Sequence, residues 1–157
     1  MKAGDIVFTR GKGLVSRLIR LFDRGDYTHV AIAVSSTHVI EAQRFVTTRL
    51  VKMDYEEYDV LDLNLTPAER QQAIIAAHQF LGRRYDYLQI GWHMAKQLFG
   101  LKGTFVSNNP NTLICSELVS RVLHEIGYMD HFDTLYELTP NQLYDTLLYL
   151  AENRRPV

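Results

Sequence analysis

The sequence contains one cysteine, Cys115, and its surroundings are those in which a thiol can act as a nucleophile. A polar loop precedes it, and apolar residues follow it at the spacing of an amphipathic helix. We expect Asn111 or Thr112 to cap this helix, so that Cys115 lies in its first turn. The unpaired N–H groups and the dipole there favour a thiolate and can stabilise an oxyanion. The alternative is a small buried hydrophobic residue on the core face of the helix.

A catalytic cysteine needs a general base, and His29 is the best placed of the six histidines. It begins the most apolar strand of the sequence, on the same face as Ala31 and Ala33. These small side chains favour the close approach of a helix to that face, as a helix that carries the nucleophile requires. The alternative is a core histidine whose ring is satisfied by a backbone carbonyl.

Glu41 lies on the next predicted strand, and the hairpin register decides whether it can orient His29. A two-residue connection at 35–36 would pair Val30 with Glu41, which places His29 and Glu41 on opposite faces. A three-residue connection pairs Ala31 with Glu41, which places His29 and Glu41 on one face. The connection begins Ser-Ser and lacks the Asn-Gly or Gly-X chemistry of two-residue hairpins, so the sequence favours the longer loop.

Gln43 is the alternative orienting group. In the three-residue register it lies directly opposite His29 on the neighbouring strand. Glu41 also has a second interpretation, because a glutamate among apolar strand residues is often a sheet-edge or solvent-facing residue.

The elements that must hold these residues are predicted as a sheet followed by helices. Alternating apolar residues indicate strands at 5–10, 28–34, 37–42, 46–53 and 58–63. Helical spacing and capping signals indicate helices at about 14–22, 66–81, 87–99, 115–125 and 139–151. This order predicts an α+β fold in which an antiparallel sheet or barrel packs against helices.

Length, charge and cysteine content exclude several classes of protein. The 157 residues fit one domain, 1–157, and the formal net charge of -1 gives no reason to expect a nucleic-acid partner. With one cysteine no internal disulfide can form. No apolar run approaches the roughly 20 residues of a transmembrane helix, and the first residues do not form a signal peptide. We therefore expect a cytoplasmic protein.

The order of the motifs resembles the NlpC/p60 superfamily, over nearly the whole chain. More narrowly it resembles the circularly permuted, papain-like branch, in which the histidine strand precedes the cysteine helix. The segments that carry the resemblance are Gly4-Asp5-Ile6-Val7, Thr28-His29-Val30-Ala31-Ile32, Glu41 and Cys115-Ser116-Glu117-Leu118-Val119.

The resemblance implies Cys115 as the nucleophile, His29 as the base and Glu41 as the third polar member. It also implies that Tyr85 helps to hold the oxyanion or the substrate, although an aromatic residue that caps the core is an alternative. The chain departs from the lecithin–retinol acyltransferase-like relatives, since it has Ile-Cys-Ser at 114–116 where they have Asn-Cys-Glu. It is thus more similar to the bacterial hydrolases of the branch.

The predicted activity is cleavage of an amide or ester bond through a thioester acyl-enzyme, with no metal and no organic cofactor. The superfamily implies a cell-wall-type peptide or a lipid acyl group as substrate. One alternative is a non-catalytic module that binds an acyl or peptide ligand on the same fold. Another is a structural domain whose cysteine is merely buried.

Contact with a membrane surface is a further expectation, from cations beside apolar residues in the first predicted helix. The alternative is a charged outer face over a core stripe. The cations are Lys12, Arg17, Arg20 and Arg24.

Overall fold

The computed structural model describes residues 1–12, 20, 25–43, 46–85, 92, 112–129 and 138–153. Within these ranges the chain is α+β, with an antiparallel sheet and three helices, as the sequence predicts. The helices predicted at 14–22 and 87–99 lie outside the described residues, apart from Arg20 and Trp92. Arg17, Arg24 and Asn111 are outside them as well.

Five short strands form the sheet, in the spatial order β4-β3-β2-β1-β5. Each falls within one of the five predicted ranges. Among the described residues no pairing joins the edge strands β4 and β5, so the sheet is open there rather than closed into a barrel. The strands are β1 (Ile6–Thr9), β2 (His29–Ala33), β3 (His38–Glu41), β4 (Arg49–Lys52) and β5 (Tyr58–Leu61).

The β2–β3 hairpin has the three-residue register, as predicted. Ile32 pairs with Ile40, and the Val34 N–H donates to the His38 carbonyl at 2.9 Å. The Ser35 hydroxyl accepts hydrogen bonds from the N–H groups of the two residues that close the turn, at 3.2 and 3.0 Å. This side chain stabilises the longer loop because it satisfies backbone donors that have no strand partner.

The two faces of the sheet pack against different neighbours. The face with Val30 and Ile32 packs against the helices, whereas Ala31 and Ala33 pack with Val7 and the side chains that follow β4. The expectation that the helix packs on the alanine face is therefore wrong. A helix lies about 10 Å from a sheet, and the larger valine and isoleucine fill that space better than alanine.

Three helices are described, and their starts follow capping rules in two cases. Helix α1 (Pro67–Gln79) begins with the predicted capping box, in which Thr66 and Glu69 satisfy each other's backbone N–H groups. Helix α3 (Pro140–Asn153) follows Thr139, whose hydroxyl accepts from the Gln142 N–H.

Helix α2 (Cys115–Glu125) has Ile114 as its N-cap and no side-chain cap, so the prediction of Asn111 or Thr112 is wrong. The carboxylate of Glu117 instead accepts from the Ile114 N–H at 3.5 Å. Thr112 lies two positions before this N-cap, in a strand that ends at Leu113.

That strand belongs to a two-stranded parallel pair that the sequence did not predict. Strand β6 (Arg84–Tyr85) pairs with β7 (Thr112–Leu113), with Tyr85 opposite Leu113. Gly82, in the left-handed conformation that favours glycine, turns the chain from α1 into β6. The pair therefore brings the backbone of Tyr85 to within two positions of Cys115 along the neighbouring strand.

Candidate active site

Cys115 is the first residue of α2, as predicted, and only 6% of its surface is exposed. Its backbone N–H belongs to the first turn, where no carbonyl of the same helix can accept it. The thiol therefore lies at the positive end of the helix dipole, beside donors that a developing oxyanion can use.

His29 lies at the start of β2 and contacts both other members of the predicted triad. Its Nε2 lies 2.9 Å from Glu41 Oε2, and the ring also forms a hydrogen bond with the Cys115 thiol. Because Nε2 is directed to the carboxylate, Nδ1 is the nitrogen left for the sulfur. The imidazole thus links the carboxylate to the thiol.

Glu41 is 1% exposed and lies on the same face as His29, as the hairpin register requires. The alternative that Glu41 faces solvent is wrong. Gln43, the other predicted orienting group, is exposed and accepts a hydrogen bond from Arg49. Glu41 is therefore the side chain in contact with His29.

Two further residues converge on Glu41, and neither was predicted. Arg49, the cross-strand partner of Glu41 on β4, donates to Oε1 from Nε at 3.1 Å and from Nη2 at 2.9 Å. Tyr55, in the segment after β4, donates its hydroxyl to Oε2 at 2.5 Å. Its ring meets the His29 ring edge-on, with centroids 6.2 Å apart. The β3–β4 register would have identified Arg49, but no periodic pattern marks Tyr55.

A side chain of α3 holds the backbone just before His29 in place. Asn141 accepts from the Tyr27 N–H and donates to the Tyr27 carbonyl, both at 2.9 Å. These two bonds hold the backbone two residues before His29. The start of β2 is thus tied to a helix distant in sequence.

The β2–β3 ladder opens where the thiol approaches. The last described pair on the side of the Cys115 thiol is Ile32 with Ile40. Since the Val34 N–H points to β3, strand alternation also directs the Val30 N–H to that side. This N–H and the Ser116 N–H both act on the Cys115 thiol and lower its pKa.

Burial and hydrogen bonding act in opposite directions on the three titrating groups. Burial alone would lower the pKa of His29, but Cys115 and Glu41 raise it to about 9. Burial alone would raise the pKa of Cys115, but His29 and two backbone N–H groups lower it below its ordinary value. Burial would also raise the pKa of Glu41, but its three donors lower it to about 2. This arrangement favours a thiolate–imidazolium pair beside a carboxylate at neutral pH.

The remaining predicted residues lie apart from this group or outside the description. The backbone of Tyr85 is near Cys115 through the β6–β7 pair, and its side chain is not among the described ones. Lys12 pairs with Glu56 and Glu57 at 3.0 and 3.1 Å, so one of the four cations expected at a membrane already has acidic partners.

Fold and site together define an α+β protein with a buried contact chain of thiol, imidazole and carboxylate. No family model matches the sequence, and no curated protein matches it significantly. Among solved structures the chain is similar to one titled metalloprotein yiiX from Escherichia coli O157:H7, DUF1105. The TM-score is 0.61 at 20% identity, over 97% of this chain and 83% of that one. At this identity the likeness establishes the fold alone.

The described ranges contain neither a membrane-spanning helix nor a metal-binding cluster. None of the helices there has the length and apolarity needed to cross a bilayer. No group of three or more histidine, cysteine, aspartate or glutamate side chains in those ranges is arranged to hold a metal ion.

Proposed function

We propose that this protein is a cysteine hydrolase that cleaves an amide or ester bond through a thioester acyl-enzyme. The observation that carries the proposal is the unbroken contact chain from Glu41 through His29 to Cys115 at the start of α2. A nucleophile, a base and a group that orients the base are the parts that acyl transfer needs.

We further propose that the fold is the circularly permuted papain-like one of the NlpC/p60 superfamily. Three features support this. The histidine strand precedes the cysteine helix in the chain, strands β1 to β5 form one antiparallel sheet, and the cysteine begins a helix packed on that sheet. The histidine strand precedes the cysteine helix here, whereas in papain the cysteine helix comes first.

The first half of the reaction forms the thioester. The Cys115 thiolate attacks the carbonyl carbon, and the carbonyl electrons move to oxygen. The backbone N–H at the start of α2 stabilises that oxyanion. As the tetrahedral intermediate collapses, the His29 imidazolium gives its proton to the departing amine or alcohol.

The second half of the reaction restores the enzyme. Neutral His29 removes a proton from water while the water oxygen attacks the thioester carbonyl. The second intermediate collapses with the Cys115 sulfur as leaving group, which releases a carboxylic acid and regenerates the thiolate–imidazolium pair. Glu41 stays ionised throughout and holds the ring of His29 in one orientation.

The similar structure is titled a metalloprotein, so we tested whether the residues here fit a metal ion. The Glu41 carboxylate is occupied by three donors, one of them the Arg49 guanidinium, and the His29 Nε2 is directed to Glu41. Cys115 and the His29 Nδ1 remain, which is one ligand fewer than the three protein ligands of an ordinary catalytic zinc site. The described residues therefore do not fit a metal at this position.

The acyl group is proposed only by class. Peptide amides of the cell-wall type and lipid acyl groups both offer the carbonyl that the mechanism needs. The second candidate function is an acyl- or peptide-binding module on the same fold. The burial of Cys115 favours it, because a buried thiol is less accessible to a substrate carbonyl.

Alkylation of Cys115 by iodoacetamide as a function of pH tests the proposal. The native protein should react well below pH 8, because His29 lowers the pKa of the thiol. His29→Ala should slow the reaction at pH 6 by about 100-fold, as expected when a thiol returns to a pKa near 8.5. His38→Ala is the matched control, since His38 is exposed on the adjacent strand. An unreactive thiol, or one indifferent to the loss of His29, would show that the protein is not a cysteine hydrolase.

The substrate class can be found with a variant that cannot form the thioester. Cys115→Ser, incubated with separate pools of acylated lipids and of short peptides, should retain a ligand detectable by mass spectrometry. The wild-type protein should convert that same ligand. Retention without conversion by the wild type would favour the binding module.

A further inference from the structure

The carboxylate of Glu41 is more completely bonded than the orientation of one imidazole requires. Oε2 accepts from His29 Nε2 and from the Tyr55 hydroxyl, at 2.9 and 2.5 Å. Oε1 accepts twice from Arg49, at 3.1 and 2.9 Å. Four hydrogen bonds from three side chains thus converge on a group that is 1% exposed.

We propose that Tyr55 and Arg49 are positioning residues, which fix the Glu41 carboxylate so that Oε2 holds the His29 ring for reaction with Cys115. This inference rests on the proposed function and extends the reactive unit from three residues to five. Neither Tyr55 nor Arg49 touches the reacting atoms in this assignment, and each acts through Glu41.

The geometry restrains rotation of the Glu41 carboxylate because each of its oxygens has its own donor. A carboxylate can rotate about its last carbon–carbon bond and exchange its two oxygens. Rotation here would break the bonds to Arg49 and the bond to Tyr55 together, and charge-assisted bonds of this kind are stronger than neutral ones. The edge-on contact between the Tyr55 and His29 rings limits movement of the imidazole as well.

The two donors differ in chemistry and in exposure. Arg49 is 44% exposed and supplies a positive charge, which keeps a buried carboxylate ionised. Tyr55 supplies a neutral hydroxyl whose own pKa is raised, first by burial and then by the charge of Glu41, so it remains a donor. The arginine therefore maintains the charge of Glu41, and the tyrosine determines which way Oε2 is directed.

Few other groups can titrate near this carboxylate. Among the described residues, those that face Glu41 are His29 on β2, Arg49 on β4 and Tyr55 after β4. Asp54 acts on the Tyr55 hydroxyl, and Cys115 acts through His29. Changes in pH dependence after substitution can thus be traced to a short set of groups.

The experiment compares the pH profile of Cys115 alkylation in Tyr55→Phe, Arg49→Gln and the wild type. Loss of either donor should weaken the hold of Glu41 on the imidazolium, so the acid limb should move to higher pH. At pH 5 we expect about tenfold slower alkylation in Arg49→Gln, which corresponds to one pH unit, and about threefold in Tyr55→Phe. Arg49→Lys should restore part of the loss, since it returns the charge without the two bonds.

Two controls remove nearby groups that do not bond to Glu41. Gln43→Ala removes the second acceptor of Arg49, and Tyr58→Phe removes a hydroxyl from an exposed tyrosine on β5. Both should keep the wild-type profile. Arg49→Gln leaves a buried charge without its cation and can fail to fold. In that case Tyr55→Phe, which retains the ion pair, is the test of the positioning role.

An acid limb that stays in place or moves to lower pH in Tyr55→Phe would overturn the positioning role. It would mean that the hydroxyl merely competes with His29 for Oε2. The Glu41 carboxyl carbon, followed by NMR, gives a readout independent of the thiol. Its pKa should be about 2 in the wild type and higher in both variants. If the wild-type thiol has ordinary reactivity but the Glu41 pKa still rises in both variants, the hydrolase proposal is refuted and the positioning of Glu41 by Tyr55 and Arg49 is retained. If the thiol is activated but the Glu41 pKa does not rise, the positioning role is refuted and the hydrolase proposal is retained.

Discussion

Two buried carboxylates lie in this sheet region, and each is paired with an arginine. Asp5 precedes β1 and accepts from Arg70 of α1 at 2.8 Å, and Glu41 ends β3 and accepts from Arg49 of β4. Both carboxylates are at most 3% exposed. The two carboxylates are thus nearly alike in burial and in charge, although Arg49 is 44% exposed and Arg70 only 16%.

The two pairs differ in the further hydrogen bonds that their side chains make. The other donors of Arg70 reach backbone carbonyls and the carboxylate of Asp62, so the bonds around Asp5 end in the scaffold and tie α1 to the sheet. The bonds around Glu41 continue through His29 to the thiol of Cys115. A buried ion pair alone is thus no sign of a functional site. The pair at Glu41 differs because a titratable side chain links it to a thiol.

The largest expected effect separates the two carboxylates by chemistry. Glu41→Gln should slow Cys115 alkylation at pH 6 by about 100-fold, because a neutral amide no longer stabilises the imidazolium. Asp5→Asn, which makes the same change in the other pair, should leave the pH profile of alkylation unchanged. If both variants slow the reaction equally, Glu41 has no special link to the thiol that Asp5 lacks.

The next effect separates them by stability. Arg70→Ala should lower the free energy of unfolding by about 3 kcal/mol, since it leaves Asp5 buried without its cation. Urea denaturation at pH 7 measures this. Lys2→Ala is the control, because Lys2 is 71% exposed and its pair with Asp62 should contribute less than about 1 kcal/mol. Alkylation of Cys115 in folded Arg70→Ala should match the wild type.

A smaller effect is expected at the link between α3 and the histidine strand. In Gly25→Ala the new Cβ would lie 2.2 Å from Cγ of Asn141, which two hydrogen bonds to Tyr27 hold in place. We expect a loss of about 1–3 kcal/mol in the free energy of unfolding. The same substitution in an Asn141→Ala background should cost less, because the clash is gone. Equal costs in both backgrounds would place the strain elsewhere.

The smallest effect is a change in one titration. The pKa of His29 is raised to about 9, so NMR should show the ring protonated at neutral pH and losing its proton near pH 9. In Cys115→Ser the thiolate is absent, and the pKa of His29 should be lower than in the wild type while Glu41 still raises it. The same pKa in both proteins would show that no thiolate–imidazolium pair exists.

The parts of the structure that regular patterns encode could be predicted from the sequence. Apolar alternation located the five strands of the antiparallel sheet, and the Ser-Ser turn indicated the register that brings Glu41 to the face of His29. Sequence spacing could not locate Tyr55, because it lies in an irregular segment whose path depends on tertiary packing. The helix cap was predicted wrongly because the unforeseen β6–β7 pair uses Thr112.

The open end of the β2–β3 ladder gives the sheet a reporter of the thiol's charge. The Val30 amide is one of the groups that lower the pKa of the Cys115 thiol, and a thiolate is a stronger acceptor than a thiol. Hydrogen exchange and the chemical shift of this one amide therefore follow the ionisation of Cys115, with no label on the reactive group.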